Sequence, residues 1–186
     1  IWSSLVGSEM CIRDRSNFLG KNPGKIVDEN GTILGDHEGL MYFTLGQRQG
    51  IGLGGIKGKE QDSWYVAHKD LASNELTVVQ GNENKLLLSE GCFVDDIHWI
   101  NERPESEFEC DVQIRYKSLP VRSIVKKLTT GYKISFTKPQ LAVTPGQSAV
   151  IYDRDECLGG SVIRERISQD FYNWATNRGY NYKVYG

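Results

Sequence analysis

The sequence predicts a mainly β protein with a small α/β part, arranged as a small first domain followed by a unit of six strands. Three observations carry that prediction. From Gly91 onward, six short runs (92–100, 108–117, 121–128, 132–137, 147–153 and 156–163) are separated by the breaks ERPES, SLP, TTG, TPG and DRDE. Regular short strands at such spacing point to a small closed barrel or a sandwich. In the second run Cys110, Val112, Ile114 and Tyr116 alternate with Asp111, Gln113, Arg115 and Lys117, so one face is apolar and the other polar and partly basic. This alternation sends Arg115 outward and Tyr116 inward or to the rim. Before Gly91, strand-like runs flank turn signals instead of carrying a helical stripe.

Taken in order, residues 1–16, IWSSLVGSEMCIRDRS, share no periodicity with the segment that begins at Asn17. LVGSEMCIRDR resembles the translation of one frame of a transposon-end adapter used to prepare DNA libraries. The expectation is a disordered read-through segment, to be set apart from the fold as a tag would be. Residues 17–90 form the first domain. KIVDENGTILG reads as strand, Asn30-Gly31 turn, strand, with a type I′ turn because Asn-Gly supports two positive φ values. DHEGLMYFTLGQRQG is expected to start a short helix near Asp36, as N-cap, and run it toward Phe43. SWYVAHKD and NELTVVQG form a second hairpin around residues 71–74, and the domain ends near Ser89 to Gly91. Trp64 and Trp99 read as core anchors. After the six strands of 91–163 comes a tail, 164–186, in which Ile167, Phe171 and Trp174 share one face of a helix. Its aromatics are expected to dock on the body, since stacking platforms for bases sit on basic grooves and this tail is not strongly basic.

Composition narrows the function. The 186 residues are 39% hydrophobic, with 22 Lys+Arg against 24 Asp+Glu, and mean hydropathy is −0.44. The total shows no basic footprint, which leaves room for a local RNA-binding patch. No apolar run approaches a membrane span, and no apolar stretch follows basic residues at the N-terminus, so no membrane partner and a cytoplasmic location are expected. Of Cys11, Cys92, Cys110 and Cys157, none form C-x-x-C and none stand near a histidine at ligand spacing. No metal site is expected, and the last three read as small buried hydrophobes in a reducing compartment.

The stretch GQRQGIGLGG holds five glycines in ten residues and fits G-x-G-x-x-G through Gly50, Gly52 and Gly55. A dinucleotide fingerprint needs a buried strand before it and a helix after it, and neither pattern is present. The residues instead suit a tight loop, or a backbone lying close to something large with Gln47 and Arg48 as polar hands.

GDHEGLMYFTLGQRQGIGLGG, DSWYVAHKD, VQIRYKS, VTPGQSAVIYD and ECLGGSVI occur in that order. Together they resemble the C-terminal half of tRNA-specific 2-thiouridylases, over about residues 17–163. The resemblance selects the barrel: a small central domain followed by a six-stranded β-barrel. It implies an ATP-dependent sulfurtransferase that adenylates the C2 oxygen of the wobble uridine of tRNA. A cysteine persulfide then delivers sulfur, giving 2-thiouridine. It implies as partners a tRNA with a wobble uridine and a sulfur-carrier protein or cysteine desulfurase relay. ATP would be bound by an N-terminal domain, through an S-G-G-x-D-S loop that this sequence does not contain. The catalytic cysteines would lie upstream of the matched region, so this portion alone is expected to be inactive. Cys11, in CIRDR ahead of Phe18-Leu19, has the residue type of the second one but not its C-F-I-G neighbours. By motif, Arg115, Tyr116 and Gln147 are the implied tRNA contacts. An arginine fork suits phosphate, a tyrosine can stack, and a turn glutamine can reach a base edge or ribose. His37, Glu38, Gln47 and Arg48 are lesser candidates. The rival class is a non-catalytic RNA- or protein-binding β-barrel module of the translation-factor type.

Overall fold

The structure, a computed structural model, describes residues 20–53, 62–101, 106–116 and 118–180. Residues 1–16 with Cys11, Phe18-Leu19, Gly54 and Gly55, and Lys117 lie outside the described residues. The chain divides into two compact units, the first ending at Gly81 and the second beginning at Asn82. The division falls ahead of Ser89 because that residue is already inside a strand of the second unit, Leu88–Val94.

The first unit is a four-stranded sheet made of two hairpins, β1 (Gly24–Val27) with β2 (Ile33–His37), and β3 (Trp64–Asp70) with β4 (Glu75–Gln80). β1 and β4 pair in parallel at the centre, giving the order β2-β1-β4-β3. Both predicted hairpins form. The first turn is not type I′: Gly31 has φ 86° whereas Asn30 keeps an ordinary backbone. The Asp28 carboxylate decides this by accepting the backbone N–H of Asn30 at 3.0 Å and of Thr32 at 2.9 Å. An aspartate that caps its own turn competes with the two-residue loop. The predicted helix from Asp36 is absent. Asp36 lies in β2 opposite Lys25, to which it is ion-paired at 2.6 Å, and only a 3₁₀ turn, Leu40–Tyr42, comes after it. Ile26, Leu40, Phe43, Ile51, Val66, Leu76 and Val78 are the core, with Trp64 packed against them.

In the second unit β5 (Leu88–Val94), β7 (Glu107–Gln113), β8 (Val121–Lys127), β9 (Tyr132–Leu141), β10 (Ser148–Asp153) and β11 (Glu156–Ile167) close a barrel. Its order is β10-β7-β8-β9-β5-β11, and β10 pairs back onto β11. The short β6 (His98–Trp99) hangs on β11 outside the ring. Cys92, Cys110, Val112, Val125, Ile134 and Ile151 fill the interior, and Trp99 packs against it. Closure removes the free edges that an open sheet would leave. Each fully buried Val or Ile contributes about 1.5–3 kcal/mol by leaving water. Where β5 bends between Ser89 and Gly91, a Cβ on Gly91 would collide with the Ile134 carbonyl of β9, so only glycine fits.

The tail does form a helix, α1 (Gln169–Asn177), and it docks. Ile167 is not on it but ends β11, so the apolar face is Phe171, Tyr172 and Ala175, with Trp174 packed alongside. The Ser168 hydroxyl accepts the N–H of Phe171 at 3.4 Å as N-cap and donates to the Leu88 carbonyl at 2.7 Å. Buried Arg166 lies 3.7 Å above the Phe171 ring and donates to the Leu86 carbonyl at 3.2 Å, pinning the helix over the Lys85–Leu87 turn. No helix among the described residues is long and apolar enough to cross a membrane.

Candidate nucleic-acid interface

The alternation that organises β7 holds through Ile114 and then stops. Cys110, Val112 and Ile114 are buried as predicted, but the strand ends at Gln113. A tight turn comes next, in which Ser118 donates to the Arg115 carbonyl from its N–H at 3.1 Å and from its hydroxyl at 2.8 Å. Gln113 Nε2 reaches across to the Ser118 carbonyl at 2.7 Å. This turn changes the predicted orientations. Tyr116, expected inward or at the rim, is 91% exposed, while Arg115, expected outward, folds back and is partly buried.

Arg115 folds back onto the connection between β9 and β10. Its Nη2 donates to the Ala142 carbonyl at 3.0 Å and to Thr144 Oγ1 at 3.4 Å, and the Thr144 hydroxyl donates to the same Ala142 carbonyl at 2.9 Å. Ala142 holds φ 53°, a conformation that costs a non-glycine residue of order 1 kcal/mol. Pro145-Gly146 then makes a type II turn, with Gly146 at φ 87° and the Gln147 N–H donating to the Thr144 carbonyl at 3.2 Å. The turn is tied to β11 by Gly146 N–H to the Ile163 carbonyl and Ile163 N–H to the Gln147 carbonyl, each 2.8 Å. Arg115 and Gln147, far apart in the chain, thus meet on Thr144, with Tyr116 exposed beside Arg115. Burial pulls the guanidinium's pKa down from its ordinary value, and an arginine remains charged at neutral pH all the same. Gln147 Oε1 is buried and accepts no hydrogen bond among the described residues. An orphaned buried acceptor costs free energy.

On the outer wall of β7 and β8 two basic side chains face carboxylates. Arg122 pairs with Glu109 at 2.8 Å, and Lys126 with Glu107 at 2.9 Å. The Nη2 hydrogen bonds of Arg115 go instead to a carbonyl and a hydroxyl, which carry no charge.

The first unit's candidates are placed differently. His37 is buried, its Nε2 3.2 Å from the Asn74 carbonyl and its ring edge-on to Phe43. Glu38 is exposed and ion-paired with Lys21 at 2.7 Å. Gln47 is spent on its own loop, accepting the Thr44 N–H at 3.0 Å and donating to the Gln49 carbonyl at 2.8 Å. Arg48 is exposed. The described part of the glycine loop does not fit a nucleotide phosphate. A 3₁₀ turn, not a strand, precedes it, and its Gly46 N–H is committed to the Val66 carbonyl at 2.7 Å. Sequence reasoning missed Thr144, Ala142 and Ser118. Pro145-Gly146 signalled the turn, but nothing in the sequence links it to Arg115.

Residues 16–80 match the tRNA methyl transferase PRC-barrel domain and residues 89–163 the Aminomethyltransferase beta-barrel domain. The chain is 45% identical over 165 residues to the tRNA-specific 2-thiouridylase MnmA of Histophilus somni, covering 88% of this chain and 43% of that protein. The MnmA of Actinobacillus succinogenes is 44% identical over 154 residues, 82% of this chain and 40% of the relative. That of Vibrio cholerae is 45% identical over 165 residues, 88% and 44%. The chain belongs to the tRNA-specific 2-thiouridylase family. It matches the C-terminal half of these tRNA-modifying enzymes and spans about two fifths of the length of the relatives it matches. The domain names speak of methyl transfer whereas the 2-thiouridylases thiolate. The barrel's name therefore does not carry the reaction.

Proposed function

We propose that this chain is the tRNA-binding portion of an ATP-dependent sulfurtransferase that converts the wobble uridine of tRNA to 2-thiouridine. The observation that carries the reading is the Arg115–Thr144–Gln147 corner with Tyr116 exposed beside it. It offers one fixed positive charge and one exposed aromatic ring, with the partly exposed Gln147 at the turn beside them. Phosphate, base face and a ribose or base-edge donor are the groups that an unpaired RNA loop displays together. A duplex hides the base faces, so the corner suits an anticodon loop.

The bond-making steps, adenylation of the C2 oxygen and attack by a cysteine persulfide, are assigned to other residues than those described. Burial pushes the thiols of Cys92 and Cys110 up to about 12, so neither is a thiolate at neutral pH. Because the described part of the glycine loop does not suit a phosphate, ATP is assigned elsewhere in such an enzyme. A sulfur-carrier protein or cysteine desulfurase relay is the second partner, and the cytoplasm the compartment.

Fluorescence anisotropy with a labelled anticodon stem-loop carrying a wobble uridine tests this. Binding is expected to weaken as salt rises, because phosphate contacts release counterions, and to resist competition by duplex RNA of equal length. Equal competition by the duplex would remove the loop-binding reading. Incubated with ATP, a persulfide donor and tRNA, the chain is expected to yield no 2-thiouridine on nucleoside mass spectrometry. Turnover would show that the catalytic residues have been misassigned.

A further inference from the structure

We infer that Thr144 is a positioning residue for RNA recognition, its hydroxyl setting the Arg115 guanidinium in the orientation that meets the RNA backbone. The inference rests on the tRNA-binding reading and deepens it. Thr144 Oγ1 accepts from Arg115 Nη2 at 3.4 Å and donates to the Ala142 carbonyl at 2.9 Å. That carbonyl also accepts from Nη2, at 3.0 Å, so three groups close a small ring of hydrogen bonds around one guanidinium nitrogen. Ala142, whose carbonyl is the shared acceptor, takes φ 53°. An alanine in that conformation is held there by its surroundings, and such over-determined residues cluster where a geometry is being kept. The main-chain carbonyl of Thr144 meanwhile accepts from the Gln147 N–H at 3.2 Å. One residue thus touches both groups that recognise RNA, through its side chain on Arg115 and through its backbone on Gln147.

The two roles separate by mutation. Thr144→Val keeps the shape and the backbone bond to Gln147 but removes the hydroxyl. Thr144→Ser keeps the hydroxyl. A long arginine freed from one of its anchors samples more rotamers, and that ordering cost reappears in binding. Arg115→Ala removes the charge outright.

The test is a double-mutant cycle on the full chain, read by anisotropy with the anticodon stem-loop across a salt series. Arg115→Ala is expected to weaken binding about tenfold and to reduce the salt slope by about one phosphate contact. Thr144→Val should weaken binding about fivefold with the same flattening of the slope, and Thr144→Ser should stay within about twofold of the parent. The double variant Thr144→Val/Arg115→Ala should bind like Arg115→Ala alone, because the hydroxyl acts through the arginine. Losses that multiply in the double variant would overturn the inference, as would a Thr144→Val chain that binds like the parent while Arg115→Ala does not. If Arg115→Ala itself leaves binding unchanged, it is the tRNA-binding reading that fails. Should Thr144→Val not fold, Thr144→Ala carries the same comparison.

Discussion

His37 and Gln47 in the first unit, and Arg115, Tyr116 and Gln147 in the second, are all polar residues of recognisable motifs, yet the fold uses them in opposite ways. His37 is buried between the Asn74 carbonyl and the Phe43 ring, its Nδ1 without a hydrogen bond among the described residues, and both ends of the Gln47 amide are bonded to its own loop. At the barrel corner the turn at Ser118 throws Tyr116 into water, and Gln147 keeps an orphaned acceptor. A motif residue can therefore matter because it holds a loop or because it meets a ligand, and its partners tell the two apart. A residue of the first kind should change stability and leave intrinsic RNA affinity alone. One of the second kind should do the reverse.

The largest effect expected from this division is on His37. His37→Ala removes a buried ring and its bond to Asn74, and should destabilise the first unit by about 3 kcal/mol. Hydrogen exchange resolved to β1 and β4 would register that loss, with the barrel strands unaffected. Faster exchange in both units alike would mean that His37 does more than hold its own sheet. The mirror case is Tyr116→Ala, which should leave the melting of the barrel within about 0.5 kcal/mol, since the ring is 91% exposed. Binding of the anticodon stem-loop should weaken by about 1–3 kcal/mol, the worth of one stacked base. A fall in barrel stability of the same size would place Tyr116 among the structural residues and dissolve the contrast.

These two residues also mark how far the sequence was legible. The runs of the six strands, both hairpins and the change of pattern near Gly91 follow from alternation and turn residues, which are local signals, and the resemblance chose the barrel over a sandwich. Lost were the features decided by particular side-chain partners, which period and propensity do not read. Period-two reading carried Tyr116 inward or to the rim because it runs the strand on to Lys117, whereas β7 stops at Gln113. Asp36 looked like a helix cap because its cross-strand partner Lys25 lies on the other arm of the hairpin. The Asn30-Gly31 turn type was overruled by one carboxylate two residues earlier. At the candidate site the residue types were readable, and the resemblance named Arg115, Tyr116 and Gln147. That Arg115 and Gln147 meet on Thr144 depends on a strained alanine that no spacing rule reports.

Gln47 gives a smaller test. Gln47→Ala removes two hydrogen bonds from an exposed loop and should cost the first unit about 1 kcal/mol. Proteolysis within the glycine loop should quicken, because the Gly50 and Gly52 backbone, both at positive φ, would lose a brace. A loop as resistant as the parent would mean that the pairing of Gly46 and Gln47 with Val66 suffices to hold it.

The smallest effect is one of pH. Burial is the largest influence on His37 and pushes its pKa down. The bond to the Asn74 carbonyl and the charge of Asp36 pull it the other way without winning. Below the ordinary histidine value of about 6.5 the unfolded chain therefore binds a proton that the folded unit resists. The stability contributed by the neutral ring is intact above that pH and drains away as the pH falls toward the folded-state value. Exchange rates of β1 and β4 amides, corrected for intrinsic chemistry, should thus rise between pH 7.5 and 5.5 in the parent and stay level in His37→Phe. The barrel strands supply the comparison within the same sample. A barrel that loosened over the same interval would indicate a group other than His37. A first unit that tightened would reverse the sign of the linkage and mean that the imidazole is better solvated, or better paired with Asp36, than its burial against Phe43 implies.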